Sequence, residues 1–153
     1  REGASRDVPD AVARVLDDEH AASLDSLDGY KDFAVKVENV RRDLLAFLDD
    51  AKVKEKQVVG YGAPAKGNTL LNYCHVGPEL IQYTVDRSPH KQGRLLPGTH
   101  IPVRSPDDIA ATKPDYVLIL PWNLRDEIVE QMQHIREWGG QFVVPIPELK
   151  ILE

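Results

Sequence analysis

The chain has 153 residues, with 19 basic and 25 acidic side chains and a formal net charge of −6. This charge disfavours a general nucleic-acid binder, and a content of 42% hydrophobic and 29% charged residues is ordinary for one folded domain. A single cysteine, Cys74, excludes a disulfide framework and a cysteine-rich zinc site. The longest aliphatic run, residues 117–120, is too short to span a bilayer. We therefore expect a cytoplasmic protein that contacts neither nucleic acid nor membrane.

The excess negative charge lies in the first third of the chain. Residues 1–50 hold seven basic and thirteen acidic residues, and the rest holds twelve of each. A solvated helix face explains such a charge run most simply, and a specific basic partner is the alternative. The first residue is Arg, not Met, which indicates a piece of a longer polypeptide or a processed chain.

The pattern of residues 1–51 predicts an N-terminal helical segment that packs on the same domain as the rest. Pro9 and Asp10 begin a first helix, because proline is tolerated in a first turn. After a break at Gly29 and Tyr30, an apolar stripe predicts a helix over residues 31–51. Its members are Phe33, Val37, Val40, Leu44, Phe47 and Leu48.

Residues 52–153 alternate between β-rich and helical stretches. Strands are predicted over residues 57–61, 80–85, 116–120 and 141–144, with a weaker fifth over 100–104, and helices near 66–74, 106–111 and 124–138. The strands are continuously apolar, as in sheets covered on both faces. The sequence therefore predicts an α/β domain with a mostly parallel sheet of four to five strands and flanking helices. The polar stretch 86–98 is predicted to be a loop.

Residues 60–67 follow the first of these strands and open a helix, the context of a phosphate-binding turn. Gly60 and Gly62 permit a tight turn, and Pro64 suits a first helical turn. The spacing G-x-G-x-x-x-x-G matches neither the dinucleotide fingerprint nor the P-loop.

Lys66 makes this turn a candidate anion site. The helix macrodipole disfavours a cation in a first turn by about 0.3–1 kcal/mol, and an anion lying against the same N–H groups would reverse that sign. Two interpretations stay open. Either Lys66 extends into solvent beside a merely tight turn, or the turn, with Gly67 and Asn68, holds an anion.

The loop after the second strand is basic. It contains three fixed cations and one histidine, which are Arg87, Lys91, Arg94 and His90. Neighbouring parallel strands place their following loops at the same edge, where ligands bind. The loop is therefore complementary to a diphosphate, with Asp86 accepting hydrogen bonds from a sugar hydroxyl. A solvated loop and a turn-forming aspartate are the alternatives.

Trp122 and Asn123 follow the fourth strand at that edge. Trp122 either walls a ligand pocket or packs on the next helix, and Asn123 either contacts ligand or caps that helix. We assign no metal site and no catalytic residue, since His100 is better explained structurally and Cys74 has no evident activating partner. The predicted substrate-binding residues are Gly60, Gly62, Lys66, Gly67, Asn68, Asp86, Arg87, His90, Lys91, Trp122 and Asn123.

Five strings of the sequence, in order over about residues 30–147, carry a family resemblance. They are GYGAPAKGNT (60–69), VDRSPHKQG (85–93), LPGTHIP (96–102), LPWN (120–123) and GGQFVVPIP (139–147). With these strings the chain resembles the C-terminal domain of S-adenosylmethionine-dependent C-methyltransferases that act on nucleotide-linked deoxysugars. One glycine turn can occur by chance, whereas five ordered strings are specific.

The resemblance implies that residues 52–153 form a Rossmann-like domain of a longer enzyme. Its zinc-binding and S-adenosylmethionine-binding domains would be partners within the same polypeptide. A base would remove a proton from a sugar carbon beside a keto group, and the enolate would take the sulfonium methyl. The family's catalytic residues and methyl-donor site lie upstream of residue 1, so this chain is expected to hold no cofactor and to be inactive alone.

Three functions stay open at this point. The resemblance implies a domain that closes the active site over a nucleotide-sugar, with a dTDP-sugar as the expected substrate. A dinucleotide-binding oxidoreductase module is the second, although the glycine spacing opposes it. The third is a structural domain for interdomain packing or oligomerisation, since fold alone does not give function.

Overall fold

The structure, a computed structural model, describes residues 10–152. The chain divides after Glu38 into two compact units. The first unit contains α1 (Asp10–Ala21), a short 3₁₀ helix (Leu27–Tyr30) and the start of α2 (Phe33–Val53). α1 begins at the predicted Asp10, whereas Pro9 lies outside the described residues. α2 occupies nearly the predicted range and crosses the division.

The second unit is built on a six-stranded sheet. Its elements in chain order are β1 (Val58–Tyr61), α3 (Ala65–Tyr73), β2 (Thr84–Val85), β3 (Val103–Arg104), α4 (Asp107–Thr112), β4 (Tyr116–Ile119), α5 (Arg125–Gln131), β5 (Gln141–Val144) and β6 (Lys150–Leu152). The strand order is β3-β2-β1-β4-β5-β6, and every neighbouring pair is parallel except β5 with β6. The predicted α/β class and mostly parallel, Rossmann-like sheet are confirmed.

Both faces of this sheet are covered by apolar side chains. Val58 belongs to a core cluster that includes Leu44 and Leu71 from α2 and α3. Val59 belongs to a second cluster that includes Ile109 and Ile128 from α4 and α5. Because successive side chains of a strand point to opposite faces, each strand contributes to both clusters. This explains the continuous apolar runs of the sequence.

Three elements differ from the sequence prediction. β6 was not predicted, because three residues following the prolines at 145 and 147 show no measurable periodicity. β2 has two residues instead of six, since the N–H groups of Leu80 and Ile81 both donate to Gly77 O and form a turn. The predicted helix over 124–138 divides at Met132 into α5 and a 3₁₀ helix, Gln133–Trp138. Buried apolar residues near 80 and 135 are therefore held without the regular elements that their pattern predicted.

Candidate functional site

Two glycines bring β1 and α3 close to neighbouring elements. A Cβ on Gly60 would lie 2.7 Å from the hydroxyl oxygen of Thr84 on β2. A Cβ on Gly67 would lie 2.8 Å from the Cβ of Leu120, just after β4. At such distances the neighbours would have to move, so both glycines have a packing role whether or not a ligand binds.

Gly62 forms the turn after β1. Its φ of +88° favours glycine, and a Cβ there would lie 2.7 Å from Pro121 Cδ. Its N–H donates to Val85 O at 2.6 Å, and the buried Thr84 hydroxyl donates to its carbonyl at 2.7 Å. The backbone N–H and carbonyl of Gly62 are therefore both hydrogen-bonded within the protein.

The next residue, Ala63, is held by an ion pair. Its N–H donates to Asp86 Oδ2 at 2.8 Å, and Lys91 Nζ donates to its carbonyl at 3.1 Å. Lys91 Nζ also lies 3.0 Å from Asp86 Oδ2, and the Ser88 N–H donates to Asp86 Oδ1 at 2.9 Å. Pro64 has no N–H to offer. The turn at residues 62–64 thus retains no free backbone donor.

These contacts determine the ionisation of Asp86. Partial burial by itself raises the pKa of this carboxyl group. The hydrogen bonds from Ser88 and Ala63, and then the bond and charge of Lys91, outweigh burial and hold the pKa below its ordinary value. Asp86 is therefore a carboxylate that already accepts three hydrogen bonds at neutral pH.

The free donors lie one step further along, at the start of α3. Pro64 is the N-cap residue and makes no side-chain cap bond. The Asn68 N–H donates to Pro64 O at 3.0 Å, whereas the N–H groups of residues 65–67 have no acceptor within the described part of the chain. Three N–H groups with the positive end of the helix dipole favour an anion.

Lys66, Trp122 and Asn123 come together beside these donors. Lys66 Nζ donates to Asn123 Oδ1 and lies 4.6 Å from the centroid of the Trp122 ring. The half-buried Trp122 packs against both core clusters. Asn123 does not cap α5, since the N-cap residue there is Leu124 and has no side-chain bond. The sequence predicted all three residues for this edge, and the structure assembles them.

A cavity of about 230 Å³ lies on the side of the turn that faces α5. Tyr61, Ile128 and Pro121 contribute to its wall, and Arg87 and Glu127 are among its charged residues. Lys66, Trp122 and Asn123 do not line it. Most of the predicted residues therefore fall into two groups, one at the helix start and one around the cavity, whereas Gly60 and His90 belong to neither.

The basic side chains of the loop after β2 contact other groups of the same chain. Arg87 Nη1 lies 3.9 Å from Glu127 Oε1 and 3.4 Å from Gln131 Oε1 on α5. Arg94 Nε donates to His90 O at 2.7 Å, and the His90 side chain is exposed. Together with Lys91, all three cations of the loop thus have partners within the chain.

Four residues of this region have properties that the sequence did not predict. Tyr61 lies inside the glycine string and is buried beside the cavity, and burial raises the pKa of its phenol. Asn68 was predicted to be a binding residue. The sequence did not predict that its Oδ1 is buried without a hydrogen-bond partner in the described residues. Glu127 and Gln131 were not predicted as site residues, because the sequence does not show that α5 faces the loop after β2.

The rest of the described chain offers fewer candidates. Within residues 10–152 there is no group of three or more His, Cys, Asp or Glu side chains that could hold a metal. In that range no helix is long and apolar enough to cross a membrane. A second cavity of about 220 Å³, lined by Lys52, Glu55 and Glu79 among others, lies at the opposite edge of the sheet and is mixed in charge.

Comparisons with known proteins identify the family. The family model described as "C-methyltransferase C-terminal domain" matches residues 1–147. The C-methyltransferase NovU of Streptomyces niveus is 38% identical over 149 residues, which cover 97% of this chain and 36% of that protein. The chain thus spans about a third of the length of this relative.

A solved structure shows a weaker likeness. UDP-D-quinovosamine 4-dehydrogenase from Vibrio fischeri matches with a TM-score of 0.47 and 19% identity, over 64% of this chain and 93% of that one. Assignment to a family therefore rests on the sequence matches. Their extent shows that the chain belongs to the C-methyltransferase C-terminal domain family.

Proposed function

We propose that this chain is the substrate-side domain of an S-adenosylmethionine-dependent C-methyltransferase and binds the diphosphate of a nucleotide-linked keto-deoxysugar, with a dTDP-sugar as substrate. The observation that carries the proposal is the start of α3, where the N–H groups of residues 65–67 have no acceptor and Lys66 lies beside Trp122 and Asn123. The parent enzyme would be cytoplasmic.

The charge balance at this helix start favours an anion. The Lys66 ammonium lies at the positive end of the helix dipole, where a cation is disfavoured. Its contacts, Asn123 Oδ1 and the Trp122 ring, are both uncharged. A diphosphate would accept hydrogen bonds from the open N–H groups and would balance the charge of Lys66. A charge-assisted hydrogen bond of this kind contributes about 1.5–3 kcal/mol.

We assign Asp86 and Lys91 to positioning, in place of direct contact with ligand. Together they bond the N–H and the carbonyl of Ala63, so they fix the path of the turn from which α3 starts. Arg87, held near Glu127, would reach the sugar or nucleotide only by exchanging that contact. The His90 side chain is exposed and has no hydrogen bond or ion pair within residues 10–152.

The turn after β1 offers no free backbone donor or carboxylate to S-adenosylmethionine. The donors at residues 62 and 63 are taken by Val85 O and Asp86, and the Asp86 carboxylate already accepts three hydrogen bonds. We therefore propose that the methyl donor and the base that deprotonates the sugar belong to preceding domains of the same polypeptide. The glycine spacing of residues 60–67, which differs from the dinucleotide fingerprint, opposes a dinucleotide-binding oxidoreductase module.

The competing function is a purely structural domain. It is favoured by the packing roles of Gly60 and Gly67, which require no ligand. The two functions differ in one respect, since only the first requires the start of α3 to bind an anion.

Calorimetric titration of the 153-residue chain with thymidine diphosphate, NAD and S-adenosylmethionine separates these functions. We expect binding of thymidine diphosphate alone, and Lys66→Ala should weaken it by about tenfold or more. Lys150→Ala, which removes an exposed lysine on β6, is the matched control and should leave the affinity unchanged. Preference for NAD would indicate the oxidoreductase module, and no binding of any of the three would favour the structural domain.

A further inference from the structure

The first unit carries large apolar side chains that are exposed among the described residues. In α1, Val12, Val15 and Leu16 lie at i, i+3 and i+4 and are between 45% and 54% exposed. No residue of α1 is buried. A helix of 12 residues is marginal in water by itself and derives its stability mainly from packing an apolar face. α1 thus has the pattern of a packed helix without a packing partner among the described residues.

The residues after α1 continue this pattern. Leu27 is 86% exposed, Phe33 is 64% exposed, and Tyr30 between them is half exposed although its hydroxyl donates to Leu24 O. Of the thirteen large apolar side chains that are exposed in the described chain, eight lie between residues 12 and 35. Such a concentration in so short a segment marks an interaction surface.

The apolar stripe of α2 is buried along one part of the helix and exposed along another. Leu44 and Leu48 are fully buried in the second unit, whereas Phe33, on the same stripe three turns earlier, is largely exposed. Within the described residues, one helix face is therefore part of the core at its carboxyl-terminal end and exposed at its amino-terminal end. The amino-terminal end is the one nearer to any preceding chain.

We propose that the N-terminal apolar set (Val12, Val15, Leu16, Leu27, Tyr30 and Phe33) is the docking surface for the part of the same polypeptide that precedes residue 1. Two observations select this occupant. The chain spans 36% of a relative that is 38% identical, and the family is a C-terminal domain, so the remainder of such a protein lies before this segment. Acidic residues such as Asp17, Asp18 and Asp28 lie close to the set in the sequence, so a docked surface that carries basic groups beside its apolar ones would complement this segment.

The test compares the complete polypeptide with the 153-residue chain. Hydroxyl-radical footprinting measures the reactivity of individual side chains in both. We expect Leu27, Tyr30 and Phe33 to react several-fold more slowly in the complete polypeptide, while Leu95, exposed in the second unit, keeps its rate. Equal rates for Leu27 and Phe33 in the two proteins would overturn the proposal.

A pair of double variants gives a second readout. Leu27→Ser with Phe33→Ser should leave the Tm of the 153-residue chain unchanged but lower that of the complete polypeptide by at least about 3 °C. Val53→Ser with Leu95→Ser is the matched control, because these side chains are 83% and 56% exposed, and it should change neither Tm. The same small effect from both pairs in the complete polypeptide would contradict docking at this surface.

Sedimentation of the 153-residue chain tests the competing occupant, a second copy. We expect a monomer over the accessible concentration range. A dimer that Leu27→Ser with Phe33→Ser dissociates would overturn the proposal in favour of self-association. The inference uses family membership but not the anion site, so a failure here leaves the Lys66 titration unaffected and the reverse also holds.

Discussion

Asp86 bonds three neighbours with one carboxylate, and its replacement tests the positioning role. Asp86→Asn removes one acceptor oxygen and the attraction to Lys91, which leaves the Ala63 N–H or the Lys91 ammonium poorly paired. We expect a loss of about 1–3 kcal/mol in the free energy of unfolding, measured with urea at pH 7. Asp126→Asn, an exposed carboxylate paired with Arg125, is the control, and an equal loss in that variant would contradict the assignment.

The depressed pKa of Asp86 also predicts how stability depends on pH. A carboxyl group whose pKa is lower in the folded state binds fewer protons there than in the unfolded chain. Its contribution to stability is therefore complete above the unfolded pKa, about 3.9, and is lost as pH falls through the lower folded value. The difference in unfolding free energy between the native chain and Asp86→Asn should narrow below pH 4. A difference that stays constant from pH 7 to pH 3 would refute this.

Gly67 tests whether α3 is held against β4 by packing. Gly67→Ala would place a Cβ 2.8 Å from Leu120 Cβ. Alanine favours a helix interior by about 1 kcal/mol over glycine, but overpacking a buried contact costs about 1–3 kcal/mol, so we expect net destabilisation in thermal unfolding. Gly77→Ala is the control, because its Cβ would meet only the flexible carboxylate of Glu79. A more stable Gly67→Ala chain would show that α3 can shift freely.

At the scale of elements, α2 permits a comparison within one helix. Leu44→Ala removes a fully buried side chain and should cost about 2–5 kcal/mol in unfolding free energy. Val53→Ala, at the exposed end of the same helix, should change it by less than about 0.5 kcal/mol. Similar values from denaturant unfolding of the two variants would contradict the burial of this stripe in the core.

Elements with a strong periodicity were predictable, and short ones were not. The stripe of α2 extends far enough to show a helical period, and the continuous apolar runs of β1, β4 and β5 are long enough to indicate strands. β2 and β6 have two and three residues, too few to show a pattern, and β2 depends on a partner distant in sequence, as Val85 lies opposite Tyr61. The apolar run that contains Ile81 predicts a strand there, yet Ile81 is buried in a turn.

The position of the site was predictable from the sequence, but the contacts of its side chains were not. The topology places the loops after β1, β2 and β4 at one edge, so Lys66, Asp86 and Trp122 were all expected there. Charge alone does not reveal which partner each side chain selects. Lys66 contacts uncharged groups, whereas Arg87 faces Glu127. These partners depend on the three-dimensional arrangement of the loops and helices, which charge alone does not determine.

At the scale of the whole molecule, ligand binding should appear as a shift in stability. Because thymidine diphosphate would bind the folded state, it should stabilise the chain by about 2.7 kcal/mol at a concentration of 100 times the Kd. Scanning calorimetry should show a rise in Tm with this ligand, which Lys66→Ala reduces and Lys150→Ala retains. An identical rise in Lys66→Ala would place the ligand elsewhere.

The last strand has a consequence for where the chain can be cut. The family match ends at Pro147, but β6 lies beyond it and pairs with β5 along Phe142, Val143 and Val144. A chain shortened after Pro147 would leave those three buried residues on an open sheet edge, a template for strand pairing between molecules. Light scattering should therefore detect aggregates of the shortened chain under conditions where the complete 153 residues stay dispersed. Three residues outside the recognised family region would then decide whether the domain remains in solution.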